Sequence, residues 1–226
     1  MKNLVFMMDI DIKGDGRYDS SRRAAYKYSI DSWKRWCDKN DSELFVLNEL
    51  LLDNSEMGVC WQRYYLFDIL DVNEIEYNQI LMVDADTIVH PDCPNFFDMS
   101  EGKLCAAQFD GSWDWVLRGI ENYSKYIFDG FMMPWYNYFD CGFIIVNDKH
   151  REFFKIITDL YLTYKDNLTI LQDTFHNGTD QTPVNILVHK HDIDLKLLPY
   201  EFNMNDMSRK EILADDMLFT KCGWIY

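Results

Sequence analysis

The sequence predicts a single α/β domain in which a mostly parallel central sheet is flanked by helices. The first observation is the start of the chain, where a strand at 3–8, an amphipathic helix and a strand at 43–47 form a β-α-β unit, the crossover that builds parallel sheets. The second is Ile80-Leu-Met-Val83, because four consecutive apolar residues suit a strand covered on both faces. The third is size: with 226 residues, 48% of them hydrophobic, and no visible linker, we expect one domain over 1–226.

Two helices are predicted before the Ile80–Val83 strand. The first begins after Ser20 and Ser21, which can cap it, and runs to about Asn40. Its apolar residues recur at spacings of four, three and four: Tyr26, Ile30, Trp33 and Cys37. The second helix covers about 59–70. Its inward face is formed by Cys60, Tyr64 and Phe67. This pattern places Arg63 on another side of the helix.

Strands and helices continue to alternate in the rest of the chain. Further strands are predicted at 103–108, 138–147, 194–198 and 217–226. A helix is predicted at about 149–164, and a shorter one starts near Asp180. Residues 91–99 contain two prolines, so we expect them to be irregular or to form a short helix. Two stretches have no predicted regular structure: 110–136, which lacks a clear periodicity, and the loop at 171–180.

Composition excludes several classes of protein. The formal net charge of −16 argues against a nucleic-acid partner, since phosphate binding needs clustered positive charge. No apolar run reaches the 18 residues of a membrane span, and the run at residues 4–8 is too short for a signal peptide, so we expect a soluble, cytoplasmic protein. The six cysteines form no CxxC pair and are expected to be reduced core thiols.

Two carboxylates follow the central strand directly. In extended backbone Asp84 and Asp86 point the same way while Ala85 points elsewhere. Convergent carboxylates at a strand end are costly unless they are paired, protonated or bound to a cation. Oxygen ligands favour Mg²⁺ or Mn²⁺, with a substrate phosphate supplying further ligands. The alternative is a pair of solvated loop acids, and the apolar Ile88-Val89 behind them argues against it.

The context of this pair resembles the nucleotide-sugar glycosyltransferases of the GT-A, or Rossmann-like, fold, and among them the glycogenin and lipopolysaccharide galactosyltransferase family, family 8. The likeness is carried, in order over most of the chain, by Trp61-Gln-Arg63-Tyr-Tyr-Leu-Phe-Asp68, Ile80-Leu-Met-Val-Asp84-Ala-Asp86-Thr-Ile-Val89, Tyr138-Phe-Asp140-Cys-Gly142-Phe-Ile-Ile-Val-Asn147, Asp180-Gln-Thr-Pro-Val-Asn185 and Leu198-Pro-Tyr-Glu-Phe-Asn203. Asp140 departs from the pattern, because the family usually has Asn at this position.

The resemblance implies transfer of a hexose, with retention of configuration, from a nucleotide diphosphate sugar, with a UDP-sugar the expected donor. The acceptor, whether glycan, lipid or protein, stays open. By the resemblance, Asp84 and Asp86 hold Mn²⁺ or Mg²⁺. The donor-binding residues it implies are Arg63, Asp84, Ala85, Asp86 and Asp9, and the catalytic residues are Asp180, Gln181 and Asp140. The alternatives are a surface helix arginine for Arg63 and a plain helix N-cap for Asp180.

The C-terminal segment departs from the family. The family places a metal-binding histidine near the C-terminus, but the chain stops at Gly223-Trp-Ile-Tyr226, where such a segment would follow. Either the sequence is truncated or the third ligand is absent or replaced. The five histidines match no such motif, and structural roles are expected for all of them: His90, His150, His176, His189 and His191.

An aromatic stretch runs from Trp113-Asp-Trp115 to Trp135-Tyr-Asn-Tyr138. Pyranose faces stack on aromatic rings, so the stretch is a candidate acceptor platform. The alternative is a lid or loop whose rings pack into the core.

Two other functions fit part of the pattern. Asp84-Ala-Asp86, and more loosely Asp9-Ile-Asp11, resemble the motif of haloacid-dehalogenase-like phosphatases. That class also needs a downstream lysine and an acidic pair at a strand end, and the only near candidate for the pair, Asp215-Asp216, lies very late in the chain. A sugar- or nucleotide-binding protein without catalysis is the other alternative, if the missing ligand is a real loss.

Overall fold

The sheet contains both parallel and antiparallel strand pairs, and the β-α-β unit predicted at the start of the chain forms one of the parallel pairs. The computed structural model of the chain describes residues 1–12, 24–176 and 178–204. Its strands are β1 (Asn3–Met8), β2 (Ser42–Leu47), β3 (Ile80–Val83), β4 (Leu104–Gln108), β5 (Phe139–Val146) and β6 (Leu195–Leu198), in the order β2-β1-β3-β5-β4-β6. Strand β5 runs antiparallel to both β3 and β4, and the other described pairings are parallel. The predicted α/β class with a mostly parallel sheet is confirmed.

Helices cover both faces of the sheet. They are α1 (Tyr26–Lys39), α2 (Val59–Gln62), α3 (Leu66–Val72), α4 (Trp113–Tyr126), α5 (Arg151–Phe175) and α6 (Gln181–Lys190), joined in places by short 3₁₀ turns. Strand residues alternate between two apolar layers. Phe6 and Met82 face the layer under α2 to α6. Val5 and Leu81 face the layer under α1. Burial on both faces explains why the central strands are continuous apolar runs.

The helix predicted at 59–70 is divided in two. A 3₁₀ turn at Arg63–Tyr65 separates α2 from α3. The change of winding falls on Arg63 and Tyr64, the two residues of this segment whose side chains bond to Asp180.

The stretch 110–136 contains a helix that was not predicted, α4. Its buried positions follow helical spacing: Val116, Gly119, Ile120, Tyr123 and Ser124. Large aromatic residues also lie on the exposed side, where Trp113 and Tyr126 are 37% and 47% exposed. Because these residues are apolar too, the helical spacing of the buried positions is not visible in the sequence. Ser112 caps the helix by accepting a hydrogen bond from the Trp115 N–H.

Helix α5 is longer than predicted. The apolar register of 149–164 breaks at Tyr164, whose backbone leaves the helical region (φ −118°, ψ 20°), and it resumes with the buried Leu168 and Leu171. The helix therefore occupies half of the predicted loop at 171–180. It ends at His176, which adopts the left-handed conformation with φ 53°.

Several predictions lie outside the described residues: the caps Ser20 and Ser21, the acidic pair Asp215-Asp216, Cys222 and the final strand at 217–226. The other five cysteines are reduced thiols, as predicted, and all of them except Cys60 are buried. Within the described ranges, no helix combines the length and apolar character needed to cross a bilayer.

Candidate functional site

Three chain segments meet at the edge of the sheet where β3 ends. Strand β3 stops at Val83, and Asp84 begins a turn in which the Thr87 N–H donates to the Asp84 carbonyl at 3.3 Å. Because β5 runs antiparallel to β3, its start lies beside this turn, and the Asp84 N–H donates to the Gly142 carbonyl at 3.2 Å. The third segment is the start of α6, which brings Asp180 to the same edge.

The two carboxylates of the Asp–x–Asp motif do not converge by strand alternation. The strand ends one residue before Asp84, and the turn carries the half-buried Asp84 and the exposed Asp86. The extended geometry expected from the sequence is therefore wrong. Both acids nevertheless line one cavity, together with Ala85.

Arg63 connects two of the predicted acids. Its Nη1 donates to Asp84 Oδ1 at 2.8 Å. Its Nε and Nη2 donate to Asp180 Oδ2 at 3.0 and 2.6 Å. Backbone carbonyls accept from the same guanidinium: Cys60 from Nε at 3.1 Å and Cys141 from Nη1 at 3.2 Å. The surface-arginine alternative is wrong, because this side chain is 11% exposed and fully engaged.

Asp180 lies at the N-cap position of α6, but its side chain makes no cap hydrogen bond. Besides Arg63, its Oδ2 accepts from the Tyr64 hydroxyl at 2.7 Å, and its Oδ1 accepts from the Thr179 hydroxyl at 2.8 Å. The carboxylate is 3% exposed. The N-cap alternative is therefore wrong, and Asp180 serves as the buried anchor of Arg63.

Electrostatics follow from this arrangement. Burial opposes the charge of Arg63, but Asp180 and Asp84 hold the pKa of its guanidinium well above the usual range. Burial together with the Asp180 charge raises the pKa of Tyr64 well above its ordinary value, so its hydroxyl stays a donor. The Arg63 guanidinium therefore stays charged and the Tyr64 hydroxyl stays protonated over the whole physiological pH range.

Gly142 brings Asp84 and Asp140 together. The Gly142 N–H donates to Asp140 Oδ1 at 2.6 Å. A Cβ at this position would lie 2.7 Å from Asp84 Oδ2 and 3.0 Å from Asp140 Oδ1. Only glycine lets both carboxylates approach the strand this closely. Gln181 is fixed nearby, because its Oε1 accepts from the Cys141 N–H at 3.2 Å.

The surroundings of Asp84 oppose the negative charge of its carboxylate. Desolvation raises the pKa of this carboxyl to about 6, Arg63 opposes the shift, and Asp86, Asp140 and Asp180 add to it. The side chain remains 46% exposed, toward the cleft. The carboxylates gathered around Asp84 are therefore not neutralised by the arginine alone, which is the condition that a bound cation relieves.

The cavity next to these acids has a volume of about 220 Å³. Its polar lining includes Arg63, Asp84 and Asp86, and its apolar lining includes Phe6, Met8, Ile10, Tyr26 and Val59. Asp9 lies at the same sheet edge, between Met8 and Ile10, which face the cavity. The structure thus brings all eight residues predicted for the site to one edge of the sheet: Asp9, Arg63, Asp84, Ala85, Asp86, Asp140, Asp180 and Gln181.

A divalent cation fits the chemistry of this donor set. Asp84 and Asp86 offer carboxylate oxygens, and two carboxylates with substrate phosphates are a usual environment for Mg²⁺. Within residues 1–12, 24–176 and 178–204, no group of three or more His, Cys, Asp or Glu side chains is arranged to hold a metal. The described part of the chain therefore offers two carboxylate ligands at most, and a diphosphate would have to complete the coordination.

Sequence reasoning missed two residues of the site. Tyr64 was expected to be part of an apolar helix face, yet its hydroxyl bonds Asp180. Asn185, which is 0% exposed, binds both backbone groups of Phe139 through its side chain, with N···O distances of 2.9 Å. The signal for Asn185 was its place in the Asp180–Asn185 motif. No comparable signal existed for Tyr64, whose partner is 116 residues away.

Comparison with known proteins identifies a fold. No model of a known family matches the chain, and no curated protein matches it. Solved structures do match: one is a glycosyltransferase involved in the glycosylation of the major capsid of PBCV-1, at a TM-score of 0.59, with 11% sequence identity, covering 100% of this chain and 91% of that chain. In all, 211 chains of solved structures match. The chain therefore has a glycosyltransferase-like α/β fold, and membership of family 8 stays a prediction.

Proposed function

We propose that this protein is a metal-dependent glycosyltransferase that moves a hexose from a nucleotide diphosphate sugar, with a UDP-sugar as the donor and with retention of anomeric configuration. The observation that carries the proposal is the carboxylate cluster at the β3 edge. Asp84 and Asp86 line the cavity, and the pKa of Asp84 is raised to about 6 by burial and by its acidic neighbours. Such a cluster suits a cation that binds together with a diphosphate.

The cavity is suited to a nucleotide. Its apolar lining includes two aromatic side chains, Phe6 and Tyr26, and its polar lining includes the acids Asp84 and Asp86. A planar base and a charged phosphate group require this combination of apolar and polar surface. The cation would be held by Asp84 and Asp86, and when bound it supplies Lewis-acid neutralisation of charge on the departing nucleoside diphosphate.

The protein's own side chains orient this site. Arg63 donates to Asp84 Oδ1 and thereby fixes the carboxylate, whose Oδ2 lies beside Gly142. Asp180 fixes Arg63 in turn. Gln181 and Asp140 are held on the backbone of β5, where their side chains can orient sugar hydroxyls. Because Arg63 and Asp180 are engaged with each other, we assign both to positioning Asp84 rather than to contact with the phosphates or the sugar.

The test is donor binding and turnover. Calorimetry with UDP and Mn²⁺ should show metal-dependent binding that Asp86→Asn weakens at least about tenfold, the effect of losing roughly 1.4 kcal/mol. Asp38→Asn makes the same charge change on the exposed side of α1 and should bind like the unaltered protein. Equal affinity in Asp86→Asn would overturn the site.

A panel of substrates separates the competing functions. Hydrolysis or transfer of a nucleotide sugar with Mn²⁺ supports the transferase, and NMR of the released sugar reports its anomeric configuration. Release of phosphate from phosphomonoesters would instead support the phosphatase. UDP binding without turnover of any donor would support a binding protein.

A further inference from the structure

An aromatic surface lies at the same end of the sheet as the carboxylates. Three of its rings are exposed: Trp113 at 37%, Trp135 at 45% and Tyr136 at 57%. They form one contiguous group, because the Trp113 and Trp135 ring centroids are 5.2 Å apart and those of Trp135 and Tyr136 are 5.8 Å apart. We call this group the aromatic platform. Large rings clustered at the surface are the usual mark of a binding site.

The neighbouring rings show that this exposure is selective. Trp115 packs against Phe109 at 5.8 Å and donates from Nε1 to the His176 carbonyl at 3.1 Å. Tyr138 is 0% exposed. The two alternatives from the sequence therefore apply to different rings: Phe109, Trp115 and Tyr138 pack inside, while the platform rings remain outside.

The platform is tied to the candidate active site. Its Trp135–Asn137 turn leads directly into Tyr138, whose hydroxyl hydrogen-bonds the Thr182 hydroxyl of α6 at 2.7 Å. Strand β5 then carries Asp140 and Gly142. Tyr138 and Gly142 are four residues apart, about 13 Å along extended backbone. A molecule of a few sugar rings can span this distance.

The charged side chains around the aromatic platform indicate which kind of ligand it binds. The segment 109–137 contains more acidic than basic side chains: Asp110, Asp114, Glu121 and Asp129 against Arg118 and Lys125. Nucleic acids also stack on aromatic rings, but they require basic surroundings. Beside Trp113 the exposed Asp114 and Arg118 form an ion pair at 2.7 Å, which offers hydrogen-bonding groups next to the rings. Rings with adjacent polar groups match a neutral sugar, whose ring face is apolar and whose edge carries hydroxyls.

We infer that Trp113, Trp135 and Tyr136 form the acceptor subsite, and that the acceptor is a neutral glycan stacked on these rings with its end directed to Asp140 and Gly142. The assignment of this surface as an acceptor subsite rests on the proposed glycosyltransferase function. The carbohydrate site itself follows from the exposed rings and can be tested without turnover.

The direct test uses neutral oligosaccharides as probes. Maltopentaose, cellopentaose and β-1,4-galactotetraose are titrated while tryptophan fluorescence and saturation-transfer NMR are recorded, with pentagalacturonate as the anionic comparison. At least one neutral probe should bind, and pentagalacturonate should not. If no neutral probe changes either signal at 10 mM, or if the anionic sugar binds best, the inference is wrong.

Variants assign the signal to the platform. Trp135→Ala and Trp113→Ala should each weaken binding of the probe roughly 2- to 10-fold, the range for loss of one aromatic contact. Tyr126→Ala removes a similarly exposed ring at the other end of α4, about 20 Å away, and should leave binding unchanged. Far-UV circular dichroism and the urea midpoint verify folding. Equal loss in all three variants would refute the assignment.

The two proposals can fail separately. If UDP with Mn²⁺ binds but no neutral sugar does, the platform is wrong and the donor site stands. If a neutral sugar binds through the platform but no nucleotide sugar is bound or turned over, the proposed function is wrong and the carbohydrate site stands. Where both sites work, Trp135→Ala should raise the acceptor KM while its UDP affinity stays within twofold.

Discussion

The ion pair between Arg63 and Asp180 should dominate the stability of the candidate site. Arg63→Met removes the guanidinium but keeps a side chain of similar length. Asp180, which is 3% exposed, then loses its two hydrogen bonds from Arg63 and keeps those from Tyr64 and Thr179. The variant leaves a buried carboxylate without a counter-ion, which is the costly way to disrupt such a pair.

The expected loss of stability can be bounded from the structure. Removing one partner of a buried ion pair costs about 3–5 kcal/mol. Because two hydroxyl donors remain on Asp180, we expect the lower end of that range, ~3 kcal/mol, for Arg63→Met. This is a large part of the 5–15 kcal/mol that typically separates folded and unfolded domains. Asp84 contributes less, since its side chain is 46% exposed and solvent screens its interaction with Arg63.

The assay is urea unfolding of four proteins: the unaltered chain, Arg63→Met, Asp180→Leu and the double variant. The double-variant cycle isolates the coupling between the two groups. The double variant should be more stable than Arg63→Met, because it also removes the buried carboxylate that Arg63→Met leaves without a counter-ion. Arg118→Met is the matched control: its partner Asp114 is 76% exposed, so about 0.5 kcal/mol is expected.

Two results would refute this reasoning. One is an Arg63→Met variant that loses less than about 1 kcal/mol, which would mean that solvent reaches Asp180. The other is a double variant that is less stable than both single variants, which would show that the residues contribute independently.

Three further predictions follow from single contacts. Gly142→Ala should fold with a loss of about 1–3 kcal/mol but bind UDP with Mn²⁺ at least tenfold more weakly, because the new Cβ would lie 2.7 Å from Asp84 Oδ2. Gly58→Ala is the calorimetric control, because the nearest atom to its new Cβ would be 3.7 Å away, and equal UDP affinity of the two variants would contradict the prediction. Asn185→Ala should lose about 2–4 kcal/mol in urea unfolding, because it leaves both backbone groups of Phe139 buried without this partner, and a loss below 1 kcal/mol would show that water replaces the amide. Burial raises the pKa of the thiols of Cys37, Cys93 and Cys105 to about 12. At pH 8 these thiols in the folded protein should therefore react with iodoacetamide roughly a thousandfold more slowly than an ordinary thiol. Peptide mass spectrometry measures the labelling, and fast labelling of any of the three in the folded protein would contradict this prediction.

The strands could be predicted because their signal is local. A strand buried on both faces must be apolar throughout, and β3 and β5 show this directly in the sequence. These strands then located two carboxylates: Asp84, which directly follows the apolar run of β3, and Asp140, which lies at the start of β5 before its apolar run. Helix α4 could not be found in this way, because Trp113 and Tyr126 add apolar residues to its exposed side.

The connections within the site could not be predicted, because they are not local. Arg63 and Asp180 are 117 residues apart, and a helix arginine beside an inward face has the same pattern whether or not a carboxylate meets it. The turn at Asp84 was missed for a related reason. Alternation along a strand applies only while the strand continues, and it ends at Val83. Motifs identified the residues of the site, and the tertiary fold determined their contacts.

The arginine changes what the Asp–x–Asp pair can do. A cation held by two adjacent carboxylates needs those carboxylates to be charged and fixed. Burial and the neighbouring acids push Asp84 toward its protonated form, with a pKa of about 6, and Arg63 is the opposing charge. The charge of Asp180 adds to this pKa, but its carboxylate also holds the guanidinium from the other side, in the position where Arg63 pairs with Asp84. If Asp180 supports donor binding through the position of Arg63, Asp180→Asn should weaken UDP–Mn²⁺ binding in calorimetry, although this carboxylate is only 3% exposed.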